Sequence, residues 1–218
     1  MKPLSIFSRL ATLATITLSA QVFAATDAQF QSAFNDFISA KPGDSAAIEK
    51  AFDGLDKLNK AEPGNPVLMA YSGAAEAMKA TTTSLPWKKM TYAEDGLAQI
   101  DKALALLQPA HDGTLVMGTP ASLQTRFVAA NTMLGLPDLF KRGPRGVKLL
   151  ADVQASPLLA QTPLGFQGAV GMRAVKLAVK EQRLDDAKRI ANDLIARHVP
   201  QAEQARVALK DIESGTAK

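Results

Sequence analysis

The sequence predicts an all-α protein built from stacked antiparallel helical hairpins. Apolar residues recur with the 3.6-residue period of a helix along nearly the whole chain after residue 25. No stretch shows the alternation of apolar and polar residues that marks a half-buried strand. The composition is rich in alanine and only 6% aromatic, which suits helices that approach one another closely. The stripes predict about nine helices.

The first hairpin is expected over residues 27–62 and the second over residues 66–109. The apolar stripe of the first runs from Phe30 to Ile38 and resumes at Ile48, after the breaker at residues 41–44. Asn65 followed by Pro66 has the pattern of an N-cap and a first helical residue. Ser84 is expected to cap the longer helix that begins near Pro86, and Pro109 ends that helix.

The second half of the chain predicts two more hairpins and a final helix. Glycine and proline residues make residues 110–120 a loop. Apolar stripes then place hairpins at residues 120–156 and 163–198, and a last helix at 200–213. Each hairpin is about 35 to 45 residues long, which is the spacing of helical repeats. A repeat of this kind buries its apolar face only against its neighbours, so the hairpins are expected to stack.

The first 24 residues are expected to form a signal peptide rather than part of the fold. Lys2 and Arg9 give a positive start, and residues 10–22 are uncharged and mostly apolar. That apolar run is about 13 residues, shorter than the roughly 20 that a membrane span needs. We therefore expect cleavage after residue 24 and export to the periplasm. Residues 25–218 are expected to form a single domain without disulfides, because the chain has no cysteine.

Small and large apolar residues alternate along the second hairpin in a pattern that resembles tetratricopeptide-type repeats. The residues that carry the resemblance are Tyr71, Gly73, Ala74, Gly96, Ile100, Ala103 and Pro109. The segment 184–196, LDDAKRIANDLIA, is the best local match. The resemblance implies a tetratricopeptide-like α-solenoid. It also implies a scaffold that binds peptides or other proteins, which is an expectation from the fold alone.

No residue pattern indicates catalysis, a metal ion or a cofactor. The two histidines, His111 and His198, are far apart in sequence and have no cysteine to complete a zinc site. The sequence has no nucleophile motif, no P-loop and no dinucleotide-binding motif. Adjacent acids, such as Asp185 and Asp186, point about 100° apart on a helix and do not converge on one atom. Glu76 and Glu94 lie on the two helices of one hairpin, where surface exposure is the expectation and a glycan-cleaving pair the alternative.

The charge is distributed unevenly along the mature chain. Residues 25–113 hold eight lysines, no arginine and twelve acids, a net of −4. Residues 114–218 hold fifteen basic residues and nine acids, a net of +6. The overall charge of the mature chain is too small for tracking nucleic-acid phosphates, so we expect no nucleic-acid partner. This asymmetry suits binding of an acidic partner by the basic second half. It also suits self-association, in which the acidic half of one copy meets the basic half of another.

Two segments are candidate contact surfaces. Residues 85–92 contain the only tryptophan of the chain, and residues 136–148 contain four basic residues within eight positions. Trp and Tyr are frequent in binding hot spots, and Arg favours carboxylate partners. The residues expected to contact a partner are Trp87, Lys88, Lys89, Tyr92, Arg142 and Arg145. The alternative is that Trp87 fastens its helix to the neighbouring hairpin and that the basic segment is a solvated turn.

Three functions follow from these observations as hypotheses. The first is an exported, non-enzymatic scaffold that binds a protein or peptide partner in the cell envelope, as part of a transport or assembly system. The second is a periplasmic protein that binds a small solute in the concave face of the stack. The third is a helical hydrolase of cell-wall glycan.

Overall fold

The fold is a stack of helical hairpins. A computed structural model describes residues 17–217, with side chains from residue 28 onward. Within these residues the chain forms nine α-helices, as the sequence predicts. They are α1 (Thr17–Ser39), α2 (Ser45–Ala61), α3 (Pro66–Lys79), α4 (Pro86–Ala105), α5 (Ala121–Gly135), α6 (Gly143–Ala155), α7 (Leu164–Lys180), α8 (Leu184–Ala196) and α9 (Ala202–Glu213). Most of the expected signal peptide lies outside the described residues.

The predicted hairpins are present. Helix α1 packs on α2, α3 on α4, α5 on α6, and α7 on α8, while α9 packs on α8 as the final helix. Helix α3 also contacts α2 and α5, and it is buried without interruption from Pro66 to Ala77. An all-round buried helix belongs at the centre of a stack. The core accordingly runs as three adjoining clusters, from α1–α5 through α5–α7 to α7–α9.

The caps of two helices test the sequence signals directly. The Asn65 side chain accepts hydrogen bonds from the backbone N–H groups of Val67 and Leu68, at 3.0 and 3.3 Å, as predicted. The prediction that Ser84 caps α4 is wrong. The N-cap residue of α4 is Leu85, whose side chain makes no capping hydrogen bond. Thr83 instead accepts the N–H of Leu85 at 3.2 Å, so a neighbouring hydroxyl takes the place of the expected one.

Helices α3 and α4 touch through glycines. A Cβ added to Gly73 would lie 2.7 Å from the Gly96 carbonyl oxygen, and one added to Gly96 would lie 2.7 Å from the Ala77 nitrogen. Both distances are shorter than any real contact of a Cβ. The two helix backbones therefore meet directly, and only glycine fits at either position.

The loop at residues 110–120 contains more structure than the sequence predicts. A 3₁₀ turn at Pro109–Asp112 is followed by a two-stranded hairpin, β1 (Leu115–Val116) and β2 (Thr119–Pro120). Met117 and Gly118 both have positive φ, which is the geometry of a type I′ turn. Strands of two residues are too short to show alternation, so the sequence pattern did not reveal them. A second 3₁₀ turn covers Asp138–Phe140 and a third Pro157–Gln161.

In the part of the chain that the structure describes, no helix combines the length and the apolar character needed to cross a membrane.

Candidate functional site

The six residues predicted to contact a partner lie on or beside the even-numbered helices, in two separate places. Trp87, Lys88 and Lys89 are exposed at the start of α4, and Tyr92 follows, half-buried, one turn later. The alternative for Trp87 is not observed, because its side chain is 65% exposed and does not fasten α4 to a neighbouring hairpin. This exposure agrees with the expectation of a contact surface, and the contact itself stays a prediction.

The two arginines share one carboxylate. Arg142 Nη1 lies 3.1 Å from Asp101 Oδ2, and Arg145 Nη1 lies 2.6 Å from Asp101 Oδ1. Asp101 belongs to α4, so this triad joins the third hairpin to the second. Trp87 precedes Asp101 by fourteen residues, about 21 Å along the helix axis. The structure therefore brings Arg142 and Arg145 together but keeps them well apart from the tryptophan.

A large groove lies on the other side of the stack. Its volume is about 790 Å³, within the usual range for ligand pockets. Every helical residue that lines it comes from α1, α3, α5, α7 or α9, so the odd-numbered helices share this side of the stack. None of the six predicted contact residues lines it.

The wall of the groove is mainly apolar. Phe127 of α5 and Phe166 of α7 meet edge to face, with their ring centroids 5.3 Å apart. At the other end, the Tyr71 ring is contacted edge-on by Phe34 and Phe37, at 5.6 and 5.4 Å. Helical spacing places these side chains in rows along the groove. The remaining apolar lining residues are Ile38, Met78, Met117, Val128, Pro163, Ala169 and Met172.

Two cations line the groove, and no Asp or Glu does. Arg173 Nη2 donates to the Asn131 carbonyl oxygen at 3.0 Å, while its buried Nε has no hydrogen-bond partner. Partial burial lowers the pKa of Arg173, but a guanidinium stays protonated in proteins. Lys176, one turn further along α7, is exposed and makes no ion pair with any residue of the described range 28–217. The groove therefore presents positive charge that no carboxylate lining it offsets.

Two buried amides also face the groove. Gln124 is only 3% exposed, and its Oε1 has no hydrogen-bond partner among the described residues. Burial raises the pKa of the neighbouring Tyr71, and a hydrogen bond with Gln124 opposes that rise. Gln201 Nε2 donates to the Gly165 carbonyl oxygen at 3.0 Å, and its Oε1 is also without a partner. An unpaired buried polar atom is costly. Both oxygens lack accessible surface, so a bound molecule would meet them only after the side chains turn.

A smaller cavity of about 380 Å³ lies between residues 62–66 and the loop that contains His111. His111 Nδ1 accepts the backbone N–H of Gln108 at 2.8 Å, so its ring helps to hold the 3₁₀ turn. No group of three or more His, Cys, Asp and Glu side chains suited to a metal ion occurs within residues 28–217.

Glu76 and Glu94 do not face each other across a cleft. Glu76 is 8% exposed and lies 3.4 Å from Lys79 Nζ on its own helix, whereas Glu94 is exposed on α4. Neither side chain lines the groove. Burial raises the pKa of the Glu76 carboxyl, and Lys79 opposes this rise while Asp95 and Glu49 add to it.

Replacing Glu76 by glutamine is expected to change how stability depends on pH. A raised carboxyl pKa means that the folded state holds its proton more tightly, so wild-type stability falls as pH rises through that pKa. Glutamine does not titrate, so the melting temperature of Glu76→Gln relative to wild type should increase between pH 4 and pH 8. Thermal unfolding followed by circular dichroism measures this. Glu94→Gln, which removes an exposed carboxyl, is the control, and a pH-independent difference for Glu76→Gln would refute the assignment.

The groove residues were visible in the sequence but interpreted differently. Phe127 and Phe166 belong to stripes expected to be core, and the structure shows both half-buried. A second signal was available, because Phe166, Ala169, Arg173 and Lys176 recur at three- and four-residue spacing on α7. This stripe carries two cations and an aromatic ring on a helix whose other face is core.

Comparison with protein-family models, with curated proteins and with solved structures finds no match to this chain.

Proposed function

We propose that this chain is an exported, non-enzymatic scaffold of the tetratricopeptide-like kind. In this proposal it works in the periplasm and binds a protein or peptide partner in the groove of the odd-numbered helices. The single observation that carries the proposal is the lining of that groove. Four helices, α1, α3, α5 and α7, contribute apolar side chains, α7 adds two cations, and no Asp or Glu lines the groove.

The lining supports an occupant that is both apolar and acidic. Phe127 and Phe166 offer aromatic contact area to apolar side chains, as the anchors of binding hot spots do. Arg173 and Lys176 would meet acidic side chains of the same segment and give charge complementarity. A segment that lies across several helices would contact all five, which suits a peptide.

The second candidate is a small amphipathic solute, favoured by the convergent polar groups of the groove. Gln124, Gln201 and Arg173 line the groove, and each has one buried polar atom without a hydrogen-bond partner among the described residues. A few polar groups in a mostly apolar pocket of this volume are typical of a small-molecule site. Such a solute would carry a carboxylate, a hydrogen-bond donor and an apolar body.

Replacing both groove cations, Arg173 and Lys176, by neutral residues should remove the preference of the groove for acidic peptides. Peptides selected on the wild-type protein from a random library should be apolar and enriched in Asp and Glu. For the selected peptides, Arg173→Gln/Lys176→Gln should weaken binding by about tenfold or more, since each buried charge contact is worth more than 1 kcal/mol. Fluorescence anisotropy of labelled peptides measures the affinity.

The matched control is Arg206→Gln/Lys210→Gln, which removes one Arg and one Lys from α9 outside the groove. This control should bind the peptides as wild type does. Equal loss in both variants, or none in the groove variant, would refute the role of the groove cations. Failure to select peptides, with saturable binding of a long-chain carboxylate, would favour the solute instead.

A further inference from the structure

The start of α4 stands clear of the rest of the stack. Helix α3 ends at Lys79, and the first buried residue of α4 is Ala93. All residues from 84 to 91 are exposed. The segment therefore projects into solvent for the first turn and a half of its helix, although it contains large apolar side chains.

Those apolar side chains lie close together. Trp87 is 65% exposed, Met90 38% and Leu85 37%. Trp87 and Met90 are three residues apart and share one side of the helix. Single exposed apolar residues are common. A tryptophan grouped with two further apolar residues at the start of a helix forms a patch of the kind that marks an interaction site.

Two lysines lie within the patch segment, and the nearest acids of α4, Glu94 and Asp95, follow one turn beyond Met90. Residues 77–93 contain no Asp or Glu. Lys88 and Lys89 are exposed and make no ion pair with any residue from 28 to 217. Lys41 belongs to the neighbouring loop, which is tied to the patch by the Gly43 N–H donating to Thr81 Oγ1 at 3.0 Å. The one acid of that loop, Asp44, is engaged as the N-cap of α2.

The exposure of the patch favours binding to a lipid surface over binding to a protein partner. A protein hot spot is a packed pocket whose surrounding ring of contacts excludes water. The start of α4 is exposed from residue 84 to residue 91, and none of these residues lines either cavity described above. Tryptophan favours the boundary between lipid headgroups and acyl chains, and lysines beside it meet headgroup phosphates.

We propose that the start of α4 docks on an anionic phospholipid surface. Trp87, Leu85 and Met90 enter the headgroup boundary, and Lys88 and Lys89 contact the phosphates. The interaction is peripheral and reversible, because one turn and a half of helix buries little apolar area. It leaves the groove on the odd-numbered helices open, so the proposal is independent of the function proposed for that groove.

Trp87 provides a direct test, since it is the only tryptophan of the chain. The protein is used from residue 25, because the apolar residues 10–22 would themselves enter vesicles and the first core residue among the described side chains is Phe30. With vesicles of phosphatidylglycerol and phosphatidylcholine, Trp87 emission should move to shorter wavelength and the protein should co-sediment. Vesicles of phosphatidylcholine alone should give neither result, and added salt should release the protein.

Variants separate this surface from general basic attraction. Lys88→Gln/Lys89→Gln keeps the tryptophan and should weaken binding to the anionic vesicles by about 25-fold, which is about fivefold per lysine. Lys57→Gln/Lys210→Gln removes two exposed lysines elsewhere and should bind as wild type does. Trp87→Ala should lower co-sedimentation. The proposal is overturned by absent vesicle binding, by equal loss in both lysine pairs, or by binding without a shift of Trp87. A shift caused by soluble polyglutamate but not by vesicles overturns it in favour of an acidic protein.

Discussion

Gly96→Val should destabilise this protein by at least about 3 kcal/mol. Helices α3 and α4 meet at Gly73 and Gly96, where the carbonyl of each residue lies against the Cα of the other. A side chain at Gly96 would strike the Gly73 carbonyl oxygen and the Ala77 nitrogen, which are backbone atoms and do not move aside. The helices would have to separate, and the central α3 would lose packing along its whole length.

The sign of this effect is informative, because glycine is a poor helix former. Replacing it by alanine in a helix normally stabilises by up to about 1 kcal/mol. Gly96→Ala should therefore destabilise only because of the contact with α3, by less than Gly96→Val. Gly135→Ala is the control, since the added methyl group on α5 would meet its nearest neighbour, Arg173 Nη2, at an ordinary 4.0 Å. Denaturant unfolding gives all three values, and a Gly96→Val protein within 1 kcal/mol of wild type would contradict the packing described.

Ala169→Trp should abolish partner binding while leaving the fold intact. Ala169 is half-buried on the groove face of α7, one turn from Phe166 and from Arg173. An indole at this position extends into the groove and occupies the space between the aromatic wall and the cations. We expect a loss of affinity of at least about 100-fold for peptides selected on the wild type, which is about 2.7 kcal/mol.

The matched control for this variant is Ala151→Trp, which adds the same side chain to an exposed position of α6. It should bind like wild type. The melting temperature of Ala169→Trp should remain within a few degrees of wild type, since the indole enters open space rather than the core. Retained peptide binding by a folded Ala169→Trp protein would exclude the groove as the site.

The sequence predicted the architecture well because each helix has a local cause. Breakers and apolar stripes placed every hairpin, and Asn65 with Pro66 marked the start of α3 to the residue. The residues on which the tetratricopeptide resemblance rests, Gly73 and Gly96, are those at which α3 and α4 touch. Small residues at fixed spacing are therefore a signal of close helix packing.

The sequence predicted the candidate site poorly. An apolar stripe shows that one face of a helix is apolar, but it does not show whether another helix packs on that face. Phe127 and Phe166 fit a core stripe, yet they line a groove, since no helix of the described residues covers that side of α5 and α7. Arg173 is one of nine arginines in the chain, and only the fold shows that it lines the groove together with the aromatic side chains. Trp87 stood out by composition, and its exposure depends on α4 extending beyond the end of α3.

Site-specific photo-crosslinking in living cells tests the central claim, that a protein partner occupies the groove, most directly. A benzophenone amino acid replaces Phe166 in the groove, Trp87 at the start of α4, or Lys148 on exposed α6. We expect a discrete crosslinked protein from position 166, lost when Ala169→Trp is added, and none from position 148. A crosslinked protein from position 87 or 148 but not from 166 would contradict the account and move the partner to the even-numbered helices.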